Sequence, residues 1–82
     1  MRAHIQELID ALDSRDFDWS TNQLIVKENQ AIVMTNSAAL IIDYAVTKNE
    51  DNTFTCQYNV NHTKAASTTR DTIEQIVDYI VE

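Results

Sequence analysis

The chain contains neither glycine nor proline in its 82 residues. Tight turns usually depend on these two residues, and without them a turn with positive φ depends on asparagine or aspartate. Such residues lie where the apolar patterns break, at Asn29, Asn36, Asn49, Asp51, Asn52 and Asn61. The absence of glycine also excludes the glycine-rich loops that hold phosphate groups in nucleotide-binding proteins. We therefore expect turns built on asparagine and aspartate.

Apolar residues at helical spacing mark both ends of the chain. In the first segment they fall at i, i+3, i+4 and i+7, which predicts a helix over residues 2–14. The last segment repeats this spacing and predicts a helix over residues 69–81. The apolar positions are Ile5, Leu8, Ile9 and Leu12, followed by Ile73, Ile76, Val77 and Ile80. Thr68, with Asp71 three positions later, matches a capping box for the second helix.

Four segments between the helices have strand character. Residues 22–27 and 30–35 are rich in β-branched and aliphatic side chains, and residues 53–60 alternate strictly between apolar and polar. Residues 38–47 allow two interpretations. Ser37 and two alanines favour a helix, whereas the β-branched and aromatic residues favour a strand, which is our prediction.

The order of these segments predicts one α+β domain over residues 1–82. It consists of an N-terminal helix, a four-stranded antiparallel meander and a C-terminal helix, with both helices on one face of the sheet. The single cysteine, Cys56, allows no internal disulfide. Neither a signal peptide nor an apolar run of membrane-spanning length is present, so we expect a cytoplasmic protein.

The net charge limits the kinds of partner that the protein could bind. Six lysine and arginine residues against thirteen aspartate and glutamate residues give a net charge of −7. A surface of this sign argues against direct binding to nucleic acid or to a membrane, because both require basic residues. It is compatible with a basic protein partner drawn in by long-range attraction, and also with a purely solubilising role.

The carboxylates form the candidate partner-binding surface. Asp71, Glu74, Asp78 and Glu82 fall at i, i+3, i+7 and i+11, which predicts a row along one face of the second helix. A second row starts on the first helix and comprises Glu7, Asp10, Asp13, Asp16 and Asp18. Neighbouring carboxylates in such a row stand about 5–6 Å apart, comparable with the phosphates of a nucleic-acid strand. The alternative is an ordinary solvated helix face.

Residues with the chemistry of a catalytic or metal site do not form a recognisable motif. His4, His62 and Cys56 lack the paired spacing of metal ligands, and we expect both histidines to be solvated. Cys56 is expected to be an inert buried thiol, and Asp43 an exposed carboxylate on the sheet. We therefore predict a protein that is not an enzyme and that uses no cofactor or metal.

The strands suggest a second interaction surface. If Leu40, Ile42, Tyr44 and Val46 face the helices, then Ala39, Ile41 and Ala45 face outward, and the first hairpin is apolar on both sides. Strands that are apolar on both faces are usually covered on both. A homodimer, or an adaptor that docks through this face, is the alternative prediction.

The sequence resembles the small acidic inhibitors encoded by bacteriophages, including the anti-CRISPR proteins. The likeness rests on length, acidity, element order and the predicted acidic row, and on three segments, His4–Ile9, Arg15–Phe17 and Gln23–Val26, that are similar to the start of a Cas9 inhibitor. It implies binding to a basic groove of a nucleic-acid-handling protein, as a nucleic-acid mimic, in the host cytoplasm.

A second likeness concerns the segment from Tyr44 to Ile80. Its order of strands and helix resembles the double-stranded-RNA-binding domain, which contacts RNA through a basic cluster before its last helix. Here that position offers only Lys64 and Arg70 and is followed by Asp71. This departure argues against RNA binding.

Overall fold

The computed structural model describes residues 3–36 and 39–82, which form two helices and a five-stranded antiparallel sheet. The strand order is β1-β2-β3-β4-β5, so each strand pairs with its neighbours in sequence. The elements are α1 (Ala3–Ser14), β1 (Asn22–Lys27), β2 (Gln30–Asn36), β3 (Ile41–Lys48), β4 (Phe54–Val60), β5 (Thr63–Arg70) and α2 (Ile73–Val81).

One buried cluster joins both helices to the sheet. Its strand members share one parity, because Val33 pairs with Tyr44 and Ala31 with Val46 across β2 and β3. We call this side of the sheet the core face. Helix residues at the predicted apolar spacing complete the cluster, and Ile5, Leu12 and Ile76 have no exposed surface. Phe17 and Trp19 are partly buried and pack against it.

Turn chemistry follows the expectation from the missing glycines in part. Positive φ angles occur at Asp16, Asn52, Asn61 and His62. Asn52 and Asn61 are therefore confirmed as residues that supply this conformation. His62 was not expected to do so, because histidine has a Cβ and less tendency than asparagine to bond its own backbone.

The sheet has five strands, and the prediction of four was wrong. Residues 63–70, expected to be loop and helix start, form β5 at the edge of the sheet. Most of its side chains are exposed, so no apolar alternation marked it. The ambiguous segment is a strand from Ile41 onward, whereas residues 37–38 lie outside the described residues.

The start of the second helix was also misplaced. Thr68 lies within β5, and α2 begins at Ile73 instead of residue 69. The helix is capped by Thr72, which accepts a hydrogen bond from the backbone N–H of Gln75 while the Gln75 side chain accepts one from the N–H of Thr72. A capping box is present, four residues later than expected.

Candidate protein-binding surface

Carboxylates of the two helices converge around a groove between α1 and α2. Glu7 and Asp10 of α1 and Glu74 of α2 line this groove, which has a volume of about 510 Å³. All three residues are exposed. A second cleft adjoins it and is lined by Glu7, Asp71 and Glu74, so Glu7 and Glu74 belong to both. Glu7 and Asp10 of one predicted acidic row therefore lie close to Asp71 and Glu74 of the other.

Arg15 lies across the α2 side of this region. Its Nη2 atom is 2.5 Å from Oδ1 of Asp78 and 3.3 Å from Oε2 of Glu74. The hydrogen bond to Asp78, together with the bond to Glu74, raises the pKa of Arg15 above its usual value. One guanidinium thus forms ion pairs with two carboxylates. We call Glu7, Asp10, Asp71, Glu74 and Asp78 the acidic helix-pair surface.

The row predicted along α2 is shorter than expected. Only Glu74 and Asp78 lie within the helix, because Asp71 precedes the N-cap and Glu82 is the C-cap. Asp71 rejoins Glu74 at the second cleft, but Glu82 lines a separate cleft beside three tyrosines. The four residues do not form one continuous helical stripe.

The remaining predicted acids serve local structure after α1. Asp13 accepts a hydrogen bond from the Trp19 indole N–H at 2.6 Å. Asp16 has φ 55° in the turn that follows the helix. Asp18 accepts hydrogen bonds from the Ser20 hydroxyl and backbone N–H, and these bonds lower its pKa. None of these three lines the two grooves described above.

The sequence analysis also predicted the surroundings of three titratable side chains. Cys56 is fully buried, as predicted, and burial raises the pKa of its thiol to about 12. Asp43, expected to be exposed, is 6% exposed and accepts a hydrogen bond from Asn59 at 2.8 Å. His4, expected to be solvated, is half-buried near the Phe54 ring, and its Nε2 atom has no hydrogen-bond partner within the described residues.

The side of the sheet opposite the core face is largely apolar on one half and polar on the other. On β1 to β3 it carries Ile25, Ile32, Met34, Ile41 and Ala45, which we call the apolar sheet patch, and the buried side chain of Asp43 lies between Ile41 and Ala45 on the same side. On β4 and β5 it is polar, with a hydrogen bond from Gln57 to Asn59 and another between Thr55 and Thr69. The outward positions predicted for Ile41 and Ala45 agree with this register.

All three tyrosines of the chain meet at one cleft that the sequence did not predict. Tyr44, Tyr58, Tyr79 and Glu82 line it, and its volume is about 310 Å³. The Tyr44 ring centroid lies 5.1 Å from that of Tyr58 and 6.2 Å from that of Tyr79. Burial is the main cause that raises the pKa of Tyr44. We call these four residues the tyrosine cleft.

Other kinds of site have little support in the described residues. Within residues 3–36 and 39–82, no group of three or more histidine, cysteine, aspartate or glutamate side chains is arranged to hold a metal ion. Neither helix described has the length and apolar character needed to cross a bilayer. Comparisons with protein-family models, curated proteins and solved structures give no match.

Proposed function

We propose that this protein acts by binding, with the acidic helix-pair surface presented to a basic, nucleic-acid-handling protein such as a CRISPR effector. The observation that carries the proposal is the convergence of Glu7, Asp10 and Glu74 on one groove between two helices. Occupation of the partner's basic surface would inhibit it by excluding nucleic acid. No chemistry by the protein itself is required, and a cytoplasmic location follows from such a partner.

The charge of the surface supports this proposal. Among the described residues, Arg15 is the one cation that forms salt bridges with these five carboxylates, which leaves 5 − 1 = 4 negative charges in that part of the chain. Like charges on neighbouring helical positions repel by a few tenths of a kcal/mol per pair. A basic partner would relieve that repulsion and would be attracted over about 10 Å at ordinary ionic strength.

The test compares two double variants with the same change in net charge. Glu7→Gln with Glu74→Gln removes two charges from the acidic helix-pair surface, and Glu28→Gln with Glu50→Gln removes two from the hairpin turns. Immobilised wild type and both variants are used to capture proteins from a bacterial lysate, and guide-loaded Cas9 is assayed directly for displacement of a labelled target DNA.

We expect the turn variant to behave as wild type and the surface variant to lose both its capture of nucleic-acid-binding proteins and its displacement of their nucleic acid. Binding by wild type should fall as salt rises from about 50 to 300 mM, since the attraction is screened. Equal capture by both double variants, or binding that does not change with salt, would show that the acidic helix-pair surface is not the contact.

An adaptor role is the second candidate, and the apolar sheet patch favours it. We infer that both helices lie on the core face, because their buried residues share one cluster with strand residues of that parity. Within residues 3–36 and 39–82, no helix then remains to cover the apolar sheet patch. A face of this kind is usually covered, here by a second copy of the chain.

Light scattering between about 10 and 500 μM tests the dimer. The wild type should gain mass with concentration, whereas Ile32→Lys, which places a charge in the patch, should stay monomeric. Gln57→Lys, on the polar half of the same side, is the matched control and should associate as wild type does. A monomeric wild type across this range contradicts the adaptor role.

A further inference from the structure

The tyrosine cleft presents aromatic rings from three different elements. Tyr44 and Tyr58 are direct cross-strand partners on β3 and β4, and Tyr79 of α2 packs against Tyr44. The three rings pack in tilted and edge-to-face arrangements, which are the favourable geometries for aromatic pairs. Each ring is half-buried, so part of each remains accessible.

Beside Tyr58, the edge strand β5 offers only a small side chain. Ala66 is the β5 partner of Tyr58, and it is exposed. The register between β4 and β5 shifts beside this pair, which leaves Ala65 as an extra residue in β5. Such bulges bend a strand locally. The β5 side of Tyr58 is therefore flanked by the methyl group of Ala66, which we call the shelf.

The chemistry of this lining is selective for a cation. An aromatic ring is negative over its face, so a guanidinium or an ammonium within about 6 Å of the centroid is attracted to it. Arg70 already uses this attraction, with its Cζ atom 5.5 Å from the Tyr79 centroid. Glu82 adds a carboxylate to the same lining.

We propose that the tyrosine cleft binds an arginine side chain of a basic protein partner. Arginine fits better than lysine because its planar, weakly hydrated guanidinium stacks on aromatic faces and at the same time donates to a carboxylate. In this arrangement the guanidinium lies against Tyr58 over Ala66 and donates to Glu82. The inference rests on the proposed function only in taking the arginine from a basic protein partner. The chemistry of the cleft is argued independently of that function.

The cleft is tested with a short peptide, so that its outcome is separate from that of the acidic helix-pair surface. The peptide is uncharged except for one central arginine, and its control carries citrulline, a neutral isostere, at that position. Protein labelled with ¹³C only in tyrosine rings reports the cleft alone, because the chain has three tyrosines and all line it.

We expect saturable shifts of the Tyr58 and Tyr79 ring signals with the arginine peptide and binding about two- to fivefold weaker with the citrulline peptide. Glu82→Gln should weaken arginine binding, whereas Glu50→Gln, the same charge change at the turn between β3 and β4, should leave it unaltered. Ala66→Ile should block the shelf without harm to the fold, since the position is exposed and β-branched residues suit strands.

Equal binding of the two peptides would overturn the proposal, because the cleft would then not distinguish charge. Unchanged arginine binding by Ala66→Ile would overturn it as well, since the peptide would lie elsewhere. If Glu7→Gln with Glu74→Gln abolishes capture of basic proteins but leaves the ring shifts intact, the two surfaces act independently. Loss of the ring shifts in that variant would mean that the peptide is held by the charge of the acidic helix-pair surface. That result would contradict the proposal that the tyrosine cleft binds arginine.

Discussion

Arg15 bridges to Asp78 at 2.5 Å and thereby ties the end of α1 to the middle of α2. The same guanidinium contacts Glu74, so a single cation lies between two carboxylates one helical turn apart. Both carboxylates are exposed to solvent to a large degree. Arg15 therefore limits the repulsion within the acidic helix-pair surface while leaving most of its charge available.

Arg15→Gln should separate stability from binding. Removal of the guanidinium breaks the ion pairs to Glu74 and Asp78, so the melting temperature should fall slightly, and the fall should shrink as salt is added. Affinity for a lysine-rich probe peptide should rise, because the surface gains one net negative charge. Calorimetry and a binding titration at about 50 mM salt give the two readings. A variant that binds the probe more weakly than wild type would mean that Arg15 organises the surface.

His62→Gly should stabilise the fold. Asn61 and His62 form the two-residue connection between β4 and β5, with φ 51° and 68°. Positive φ at both central residues is typical of a type I′ turn, for which Asn-Gly is the preferred sequence. We expect a gain of about 0.5–1 kcal/mol, and a rise in melting temperature of about 2–8 °C. Ser67→Gly within β5 is the control and should be destabilising.

Thr72→Ala should destabilise the protein by about 1 kcal/mol, since it removes the hydroxyl that accepts from the backbone of Gln75 at 3.2 Å. Gln75→Ala removes the reciprocal half of the capping box and should cost less, because solvent can reach the freed backbone N–H. Urea unfolding measures both changes. If Thr68→Ala had the larger effect, the helix would begin where the sequence pattern placed it.

Stability should decrease in acid partly through two turn aspartates. Asp18 accepts from Ser20, and Asp51 accepts from the hydroxyl of Thr53 at 2.6 Å; these bonds lower both pKa values from the ordinary 3.8. Their contribution is therefore complete above that pH and is lost as the pH falls through the lowered folded-state values. Urea midpoints from pH 6 to 2 should fall less steeply for Asp18→Asn with Asp51→Asn than for wild type. Identical slopes would contradict this assignment.

Elements with one buried side are marked in the sequence by their apolar pattern. In α1, α2 and β4 burial alternates with the period of the element, so the apolar pattern marks them directly. β5 lacks such a pattern, because its residues from Thr63 to Ser67 are exposed on both faces. β5 is held by backbone pairing with β4. Backbone pairing leaves no pattern in the side chains, so the sequence did not predict this strand.

The candidate surfaces were predictable only where neighbours in sequence are neighbours in space. Glu7 and Asp10 share a helix face by spacing alone, but their meeting with Glu74 requires the packing of α1 on α2. The tyrosine cleft likewise depends on the register that places Tyr44 opposite Tyr58. Sequence spacing predicts which residues share one face of a helix or strand. Contacts between two elements can be seen only once the packing of those elements is known.

Cys56 should be unreactive in the folded protein. Its side chain has no exposed surface, and burial raises its pKa to about 12, so at pH 8 only about one thiol in ten thousand is ionised. Labelling by a disulfide reagent should therefore proceed through unfolding and should accelerate sharply in urea. Ile76→Ala, which creates a cavity in the same cluster and costs about 2–5 kcal/mol, should raise the labelling rate in buffer. Fast labelling of the wild type without urea would mean that the β4 side of the core opens locally, and that the buried cluster is not one cooperative unit.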